Sequence, residues 1–397
     1  MEQLAIFGGK PVRSTPIYYG RQYIDDKDVE AVVATLRGDL ITCGPKVVAL
    51  EKKICEITGA KYAVVVSNGT AALHLAALAA GFGEGDEVVV SPITFAASAN
   101  CVRYVGAMPV FADINDATYN IDPKKIREVI TDKTKGIVAV DFTGQAVQLD
   151  EIKALCEEKG LVLIEDAAHA IGTKYNGKPI GSVADMTCFS FHPVKTVTAG
   201  EGGAITTNDE ALYKKLMLLR THGITRNQEE MVNPSDAVWY NEQVMLGYNY
   251  RMTDFQAALL ISQLDKLPMF KERRKQIVKM YDEAFGDMPE IIVQKEIPES
   301  DTTRHLYILR LNLDELNCNR REFFDAMSAE NVQPQVHYLP VYWHSYYEGL
   351  GYQKGLCPKA EALYESMMSI PLYYGLTDED VQDVITAAKK VVNYYKK

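Results

Sequence analysis

Two short stretches carry the side chains whose chemistry depends most on their surroundings. Lys195 ends the run Phe189-Ser190-Phe191-His192-Pro193-Val194-Lys195, and Asp166 lies in Glu165-Asp166-Ala167-Ala168-His169. A lysine is a nucleophile only as the neutral amine, and desolvation beside Phe191, Pro193 and Val194 favours that form. Taken singly, these residues also fit plainer roles. An aspartate at a strand end serves as a helix cap or surface turn, and most lysines are solvated. Gly200-Glu201-Gly202-Gly203 follows Lys195 closely, where glycines let backbone approach a ligand or another chain, or simply turn between strands. Upstream, Ser67-Asn68-Gly69-Thr70-Ala71-Ala72 joins a strand to a helix. Free backbone N–H groups and the Thr70 hydroxyl at that helix N-terminus suit a phosphate, and a simple capped helix fits the same residues.

For Asp166 and Lys195 to work together, the fold must bring both to one rim. The pattern between about residues 61 and 210 does so: short β-branched runs alternate with helical spacing, the rhythm of a largely parallel sheet covered by helices. Strands are expected at Ala63–Ser67, Glu87–Val90, Pro109–Ala112, Gly136–Asp141 and Leu161–Glu165. Helices are expected at Thr70–Ala80, Phe95–Val105, Lys124–Ile130 and Asp150–Glu158. In such open α/β sheets ligands sit beyond the carboxyl ends of the strands, where both segments end. From Asp254 to Phe285 the pattern is helical, interrupted at Pro268, and bridges to a C-terminal part with a strand near Leu306–Leu313 and helices near Arg321–Glu330 and Asp378–Tyr394. A large domain over residues 1–265 and a smaller α+β domain over 266–397 are expected.

Composition narrows the function class. The chain has 397 residues, 47% of them hydrophobic, enough for two domains. A net charge of −11 with scattered Lys and Arg leaves no basic face for a nucleic acid backbone. Seven cysteines without CxxC pairs read as buried small hydrophobes in a reducing cytoplasm. No stretch reaches the ~18 apolar residues of a membrane helix, and the N-terminal residues lack a signal-peptide pattern. Gly81-Phe82-Gly83-Glu84-Gly85 imitates part of a dinucleotide fingerprint but follows a helix and precedes a strand, so it is read as a helix C-cap and turn. No histidine pair has metal-binding spacing, and no metal is expected.

Together, and in order, the strand before Asn68-Gly69-Thr70-Ala71-Ala72-Leu73, Thr94-Phe95-Ala96-Ala97-Ser98-Ala99-Asn100, Glu165-Asp166-Ala167-Ala168-His169-Ala170, Phe189-Ser190-Phe191 with Lys195 and the glycine cluster, and Gly247-Tyr248-Asn249-Tyr250-Arg251-Met252 resemble the DegT/DnrJ/EryC1/StrS family of sugar aminotransferases. The resemblance spans nearly the whole chain. It implies the aspartate-aminotransferase-like fold of pyridoxal-phosphate enzymes, with Lys195 as the catalytic residue and Schiff-base lysine. Asp166 would pair with the pyridine nitrogen, Phe95 stack on the ring, His169 contact it near its hydroxyl, and Gly69, Thr70 and Ser190 hold the phosphate. Asn249 would reach the phosphate from a neighbouring subunit, which implies a homodimer with shared sites. Sugar dehydratases of the superfamily have histidine in place of the lysine, so the lysine here points to amine transfer, with glutamate as donor.

Val138-Ala139-Val140-Asp141-Phe142-Thr143-Gly144, Phe191-His192-Pro193-Val194-Lys195 and Gln335-Val336-His337-Tyr338-Leu339-Pro340-Val341-Tyr342 are similar to members acting on the 4-keto group of a UDP-linked 2-acetamido-2,6-dideoxy-hexose. By that likeness Tyr19, Thr42, Gln335, His337 and Tyr338 would touch the nucleotide sugar, with Leu40 and Ile41 supplying backbone near it. His337 and Tyr338 also fit as interior strand residues. Met1 to Val12 and a longer stretch around Ile224–Asn241 depart from the pattern. A 3- or 4-keto sugar linked to dTDP or GDP is the alternative acceptor, and a non-catalytic cofactor-binding regulator is the alternative class. The intact lysine, aspartate and serine speak against the regulator.

Overall fold

A computed structural model describes residues 2–397. Its centre is a sheet of seven strands: β1 (Tyr62–Val66), β2 (Glu87–Val90), β3 (Met108–Phe111), β4 (Thr134–Val140), β5 (Val162–Asp166), β6 (Met186–Ser190) and β7 (Gly203–Thr207). Their order across the sheet is β1-β7-β6-β5-β4-β2-β3. β7 runs antiparallel to β1 and β6, and all other neighbours are parallel. Helices cover both faces, which is why β4, β5 and β6 are almost continuously buried rather than alternating. Pro109 is tolerated in β3 because that strand lies at the sheet's edge.

The helix α1 (Gly69–Ala80) is apolar nearly all round and is buried along most of its length. Asn68 caps it, accepting from the Ala71 N–H at 2.8 Å. Gly81 ends it in the left-handed conformation, φ 80°, so the Gly81–Gly85 stretch is the cap and turn expected. The helix expected from Phe95 starts at Ala97 instead. A Thr94 Oγ1 to Ser98 Oγ hydrogen bond of 2.6 Å closes the preceding turn and leaves the Phe95 ring outside the helix. The expectation for the cysteines holds for Cys101, Cys156, Cys188 and Cys357; Cys43 is exposed and Cys55 and Cys318 are half-buried, because they sit on partly solvated helix faces or turns.

Two helices meet at Lys266, α2 (Asp254–Asp265) and α3 (Leu267–Phe285), with Pro268 in the first turn of α3. Beyond it, Tyr307–Leu311 pairs with Ile291–Ile292 and Met367–Ile370 in an antiparallel sheet, backed by helices Arg320–Ala329 and Asp378–Tyr395. The start of the chain does not follow the expected division. Leu4 and Ile17 are buried with residues from the 277–392 region, and Ile17–Tyr18 pairs in parallel with Val332–Gln333. Glu330, fully buried, accepts from the N–H groups of Ala5 and Val12 at 2.9 Å each and pairs with Lys390 at 3.0 Å. These bonds bind the two ends of the chain together. The stretch near Ile224 forms a hairpin, Ile224–Thr225 against Glu242–Gln243, that leaves Val238 and Trp239 strongly exposed.

Candidate active site

Strand register creates the site. Asp166, last in β5, lies opposite Cys188 of β6, two residues before Ser190. After Ser190 the chain turns through Lys195 and returns as β7, whose Gly203 lies opposite both Ser190 and Val66. Asp166, Ser190, Lys195 and the start of α1 therefore converge on one cavity of about 890 Å³ at the strands' carboxyl ends.

At the α1 end, four N–H groups have no partner within the helix. The Asn68 side chain satisfies that of Ala71, the Ala72 N–H makes the first helical bond to the Asn68 carbonyl, and those of Gly69 and Thr70 remain beside the Thr70 and Ser190 hydroxyls. Side chains are excluded at two points of this cradle. A Cβ on Gly69 would stand 2.8 Å from Ser190 Cβ, and one on Gly203 would stand 2.3 Å from the Asn68 carbonyl oxygen. Backbone amides, hydroxyls and a helix N-terminus together form an anion seat.

Asp166 is buried and oriented. Ser98 Oγ donates to its Oδ2 at 2.6 Å and the Ala168 N–H to its Oδ1 at 3.1 Å. Burial raises its carboxyl above the ordinary range, while the hydrogen bonds from Ser98 and Ala168 and the charge of Lys195 work against that rise. Lys195 borders the cavity, half-buried, and desolvation lowers its ammonium to about 8, with Asp166 opposing. Below that pH the ammonium dominates and the nucleophilic amine grows tenfold per unit. The rate at which the apo-protein takes up pyridoxal 5'-phosphate, followed by visible absorbance, is expected to rise as pH climbs through about 7 and level off above about 8. A rate independent of pH over that interval contradicts the assignment of Lys195.

His169 is held neutral, well below its usual range, by burial and by Lys195 and His337 nearby. Its Nε2 lies 3.3 Å from the Tyr338 hydroxyl, and its Nδ1 is buried without a partner. The unpartnered imidazole nitrogen, the free amides of the anion seat, the poised amine and the buried carboxylate fit an aromatic, phosphorylated carbonyl cofactor.

The structure brings Gly69, Thr70, Phe95, Asp166, His169, Ser190 and Lys195 to the cavity, and Tyr19, His337 and Tyr338 form its wall from the C-terminal side. His337 is fixed by Ser369 Oγ, 2.8 Å from Nδ1, and by the Tyr19 ring at 4.8 Å. Four expected sugar contacts are not brought there. Leu40 and Ile41 are about half exposed, Thr42 bridges Thr253, and Gln335 does not line the cavity, its Oε1 accepting from the Val336 N–H at 2.9 Å while its backbone pairs with Ser369. Asn249 is exposed outside the cavity, its backbone bridged to Thr221. Two contributors went unrecognised in the sequence. Ser98 lies inside the Thr94–Asn100 stretch and holds Asp166. His305 packs on His169 at 4.4 Å from more than a hundred residues away, a contact without local signal. A hydrogen bond to a charged group contributes about 1.5–3 kcal/mol. Ser98→Ala is accordingly expected to weaken cofactor binding by the apo-protein about tenfold in an absorbance titration; an unchanged Kd argues that Asp166 stands without it.

The chain matches the DegT/DnrJ/EryC1/StrS aminotransferase family over residues 22–389. It is 40% identical over 376 residues to the spore coat polysaccharide biosynthesis protein SpsC of Bacillus subtilis, covering 94% of this chain and 96% of the relative. It is 37% identical over 385 residues to the UDP-4-amino-4,6-dideoxy-N-acetyl-beta-L-altrosamine transaminase of Campylobacter jejuni, covering 96% and 99%. Helicobacter pylori PseC, an aminotransferase involved in the biosynthesis of pseudoaminic acid, superimposes with a TM-score of 0.89 at 30% identity over 96% of this chain and 100% of that one. Spr1654 of Streptococcus pneumoniae, in its PMP form, gives 0.89 at 32% over 95% and 99%, and a PLP form of it is also similar.

A doubly wound sheet with a lysine, a buried aspartate and an anion seat at its carboxyl edge defines a pyridoxal-phosphate-dependent aminotransferase. Within that class the chain is a sugar aminotransferase and belongs to the DegT/DnrJ/EryC1/StrS family.

Proposed function

We propose that this enzyme moves an amino group from glutamate to the C4 keto carbon of a UDP-linked 2-acetamido-2,6-dideoxy-4-keto-hexose. The observation that carries the reading is the wall of Tyr19, His337 and Tyr338 facing Lys195 across the cavity. It offers aromatic faces and hydroxyls to a sugar ring, and the similarity to the C. jejuni transaminase supports this acceptor. The similarity to the spore coat polysaccharide protein favours the second reading, another 3- or 4-keto nucleotide sugar.

Bound at the seat, the cofactor would supply an electrophilic carbon and an electron-accepting ring. The chain's residues do the rest. Lys195 Nζ would hold the cofactor's carbonyl carbon and, once released by the incoming amine, would take a proton from the substrate carbon and return it as base and acid. Asp166 would keep the pyridine nitrogen protonated. Gly69, Thr70 and Ser190 would hold the phosphate, Phe95 would lie against the ring, and His169 would contact it near its hydroxyl. Glutamate leaves as its 2-keto acid, and the acceptor's carbonyl oxygen leaves as water.

We further propose a homodimer in which Asn249 reaches the partner's phosphate, and in which Leu40, Ile41, Thr42 and Gln335 meet the nucleotide sugar once two subunits and the acceptor are assembled. A domain division near residue 265, with the first residues joined to the C-terminal part, belongs to the same proposal. If sites are shared, mixing Lys195→Ala and Asn249→Ala protomers creates one intact site per mixed dimer, so activity should exceed that of either parent; no gain on mixing rejects shared sites. For the acceptor, the glutamate-converted enzyme is offered 4-keto and 3-keto nucleotide sugars while cofactor absorbance is followed. Recovery with the UDP-4-keto-N-acetyl sugar alone supports the proposal, and recovery with a dTDP or GDP sugar replaces the acceptor.

A further inference from the structure

Two acids lie side by side on the side of the sheet turned away from the cavity. Asp141 follows β4 and Glu165 precedes Asp166 in β5; both are fully inaccessible. Parallel register aligns Ala139 with Glu165 and Val140 with Asp166, and alternation along β5 sends Glu165 to the face opposite Asp166. The Asp141 N–H donates to the Asp166 carbonyl oxygen at 3.1 Å.

Each acid has one oxygen satisfied. Asp141 Oδ1 accepts from the Val147 N–H at 2.9 Å, and Glu165 Oε2 accepts from Thr187 Oγ1 at 2.8 Å. The other oxygens, Asp141 Oδ2 and Glu165 Oε1, are buried and receive no donor elsewhere, while the two side chains are within hydrogen-bonding reach of each other. No cation is at hand: the buried ion pairs of the described residues use Glu51, Asp28 and Glu330. Asp166 is the one other ionised group acting on both acids.

Two ionised carboxylates in contact without a cation repel strongly, and a buried oxygen without a donor is costly. One proton between them removes both penalties. Burial pushes both acids upward, Glu165 to about 7 and Asp141 well above the usual carboxylate range, the latter also through the charge of Glu165.

We propose that Asp141 and Glu165 form a one-proton carboxyl pair, Asp141 donating to Glu165, which fixes a single negative charge behind Asp166 and makes Glu165 a positioning residue for the cofactor's ring nitrogen. The second half rests on Asp166 being that nitrogen's partner. The first half does not, and it is tested without cofactor. Infrared spectra of the apo-protein at pH 8 should show a carboxylic-acid carbonyl band that is absent in Asp141→Asn, whose amide copies the protonated acid's shape and donor. Equal band intensity in both proteins overturns the shared proton.

The second half is read from the pH midpoint of the bound cofactor's visible absorbance in the holoenzyme. Glu165→Leu leaves Asp141 without a donor for its second oxygen, so Asp141 keeps its proton, and Asp141→Ala forces Glu165 to take one up; each removes the charge and should move the midpoint by about one unit. Asp141→Asn keeps the charge and should restore the parent midpoint. A shift in Asp141→Asn as large as in Glu165→Leu, or none in Glu165→Leu, overturns the proposal. Asp166→Asn is the control: a midpoint that ignores it rejects Asp166 as the nitrogen's partner, whatever the pair does.

Discussion

Amino-group transfer by Lys195→Ala is expected to fall by at least about a thousandfold, the contribution of a positioned proton-transfer group. No other side chain at the cavity can take over. His169 and His337 are neutral, desolvated and turned toward Tyr338 and Ser369, and Asp166 is occupied by Ser98 and Ala168. The fold should survive, because burial disfavours the charged lysine and the alanine removes that cost. The apo-protein's unfolding temperature should therefore stay level or rise while turnover with glutamate and a keto-sugar collapses. Turnover within tenfold of the parent would remove Lys195 from the mechanism.

Asp166→Asn is expected to lower turnover by about a hundredfold to a thousandfold, comparable with losing one preorganised electrostatic contact in other enzymes. The amide keeps the shape but not the charge that retains a proton on the pyridine nitrogen. KM for the acceptor should change little, since Asp166 lies with Ser98 beneath the site and not on the wall of Tyr19, His337 and Tyr338. A rise in KM with kcat preserved would place Asp166 in substrate binding. Apo-protein stability should be nearly unchanged, because the substitution also removes a buried carboxyl that desolvation disfavours.

Much of this arrangement was legible in the chain. The strands ending at Asp166 and Ser190, the helix behind Asn68 and the glycine cap at Gly81 each follow local rules, in which apolar runs, capping side chains and left-handed turns leave their own marks. Asp166 ends its strand by the same rules, whereas Lys195, which local rules leave among solvated lysines, was singled out by the family resemblance. What local rules do not carry is who touches whom across the sheet. His305 meets His169 through a left-handed turn at Arg304 that binds the His305 N–H to the Thr143 carbonyl, a contact between segments distant in sequence. Ser98 looked like one small residue among several. The placing of Leu4 and Ile17 in the C-terminal core was hidden likewise, since two apolar residues near a chain start announce no partner.

That last placement governs how the acceptor side of the cavity is held together. Glu330 binds the first residues to Lys390 of the final helix, the following strand joins Val332–Gln333, and the Leu372 N–H donates to the Tyr19 carbonyl at 3.0 Å. Tyr19 is thus tied to the part of the chain that carries His337 and Tyr338, although more than three hundred residues separate them along the chain. The acceptor wall is therefore assembled by both ends of the chain, and loosening the N-terminal strap would withdraw one of its three rings.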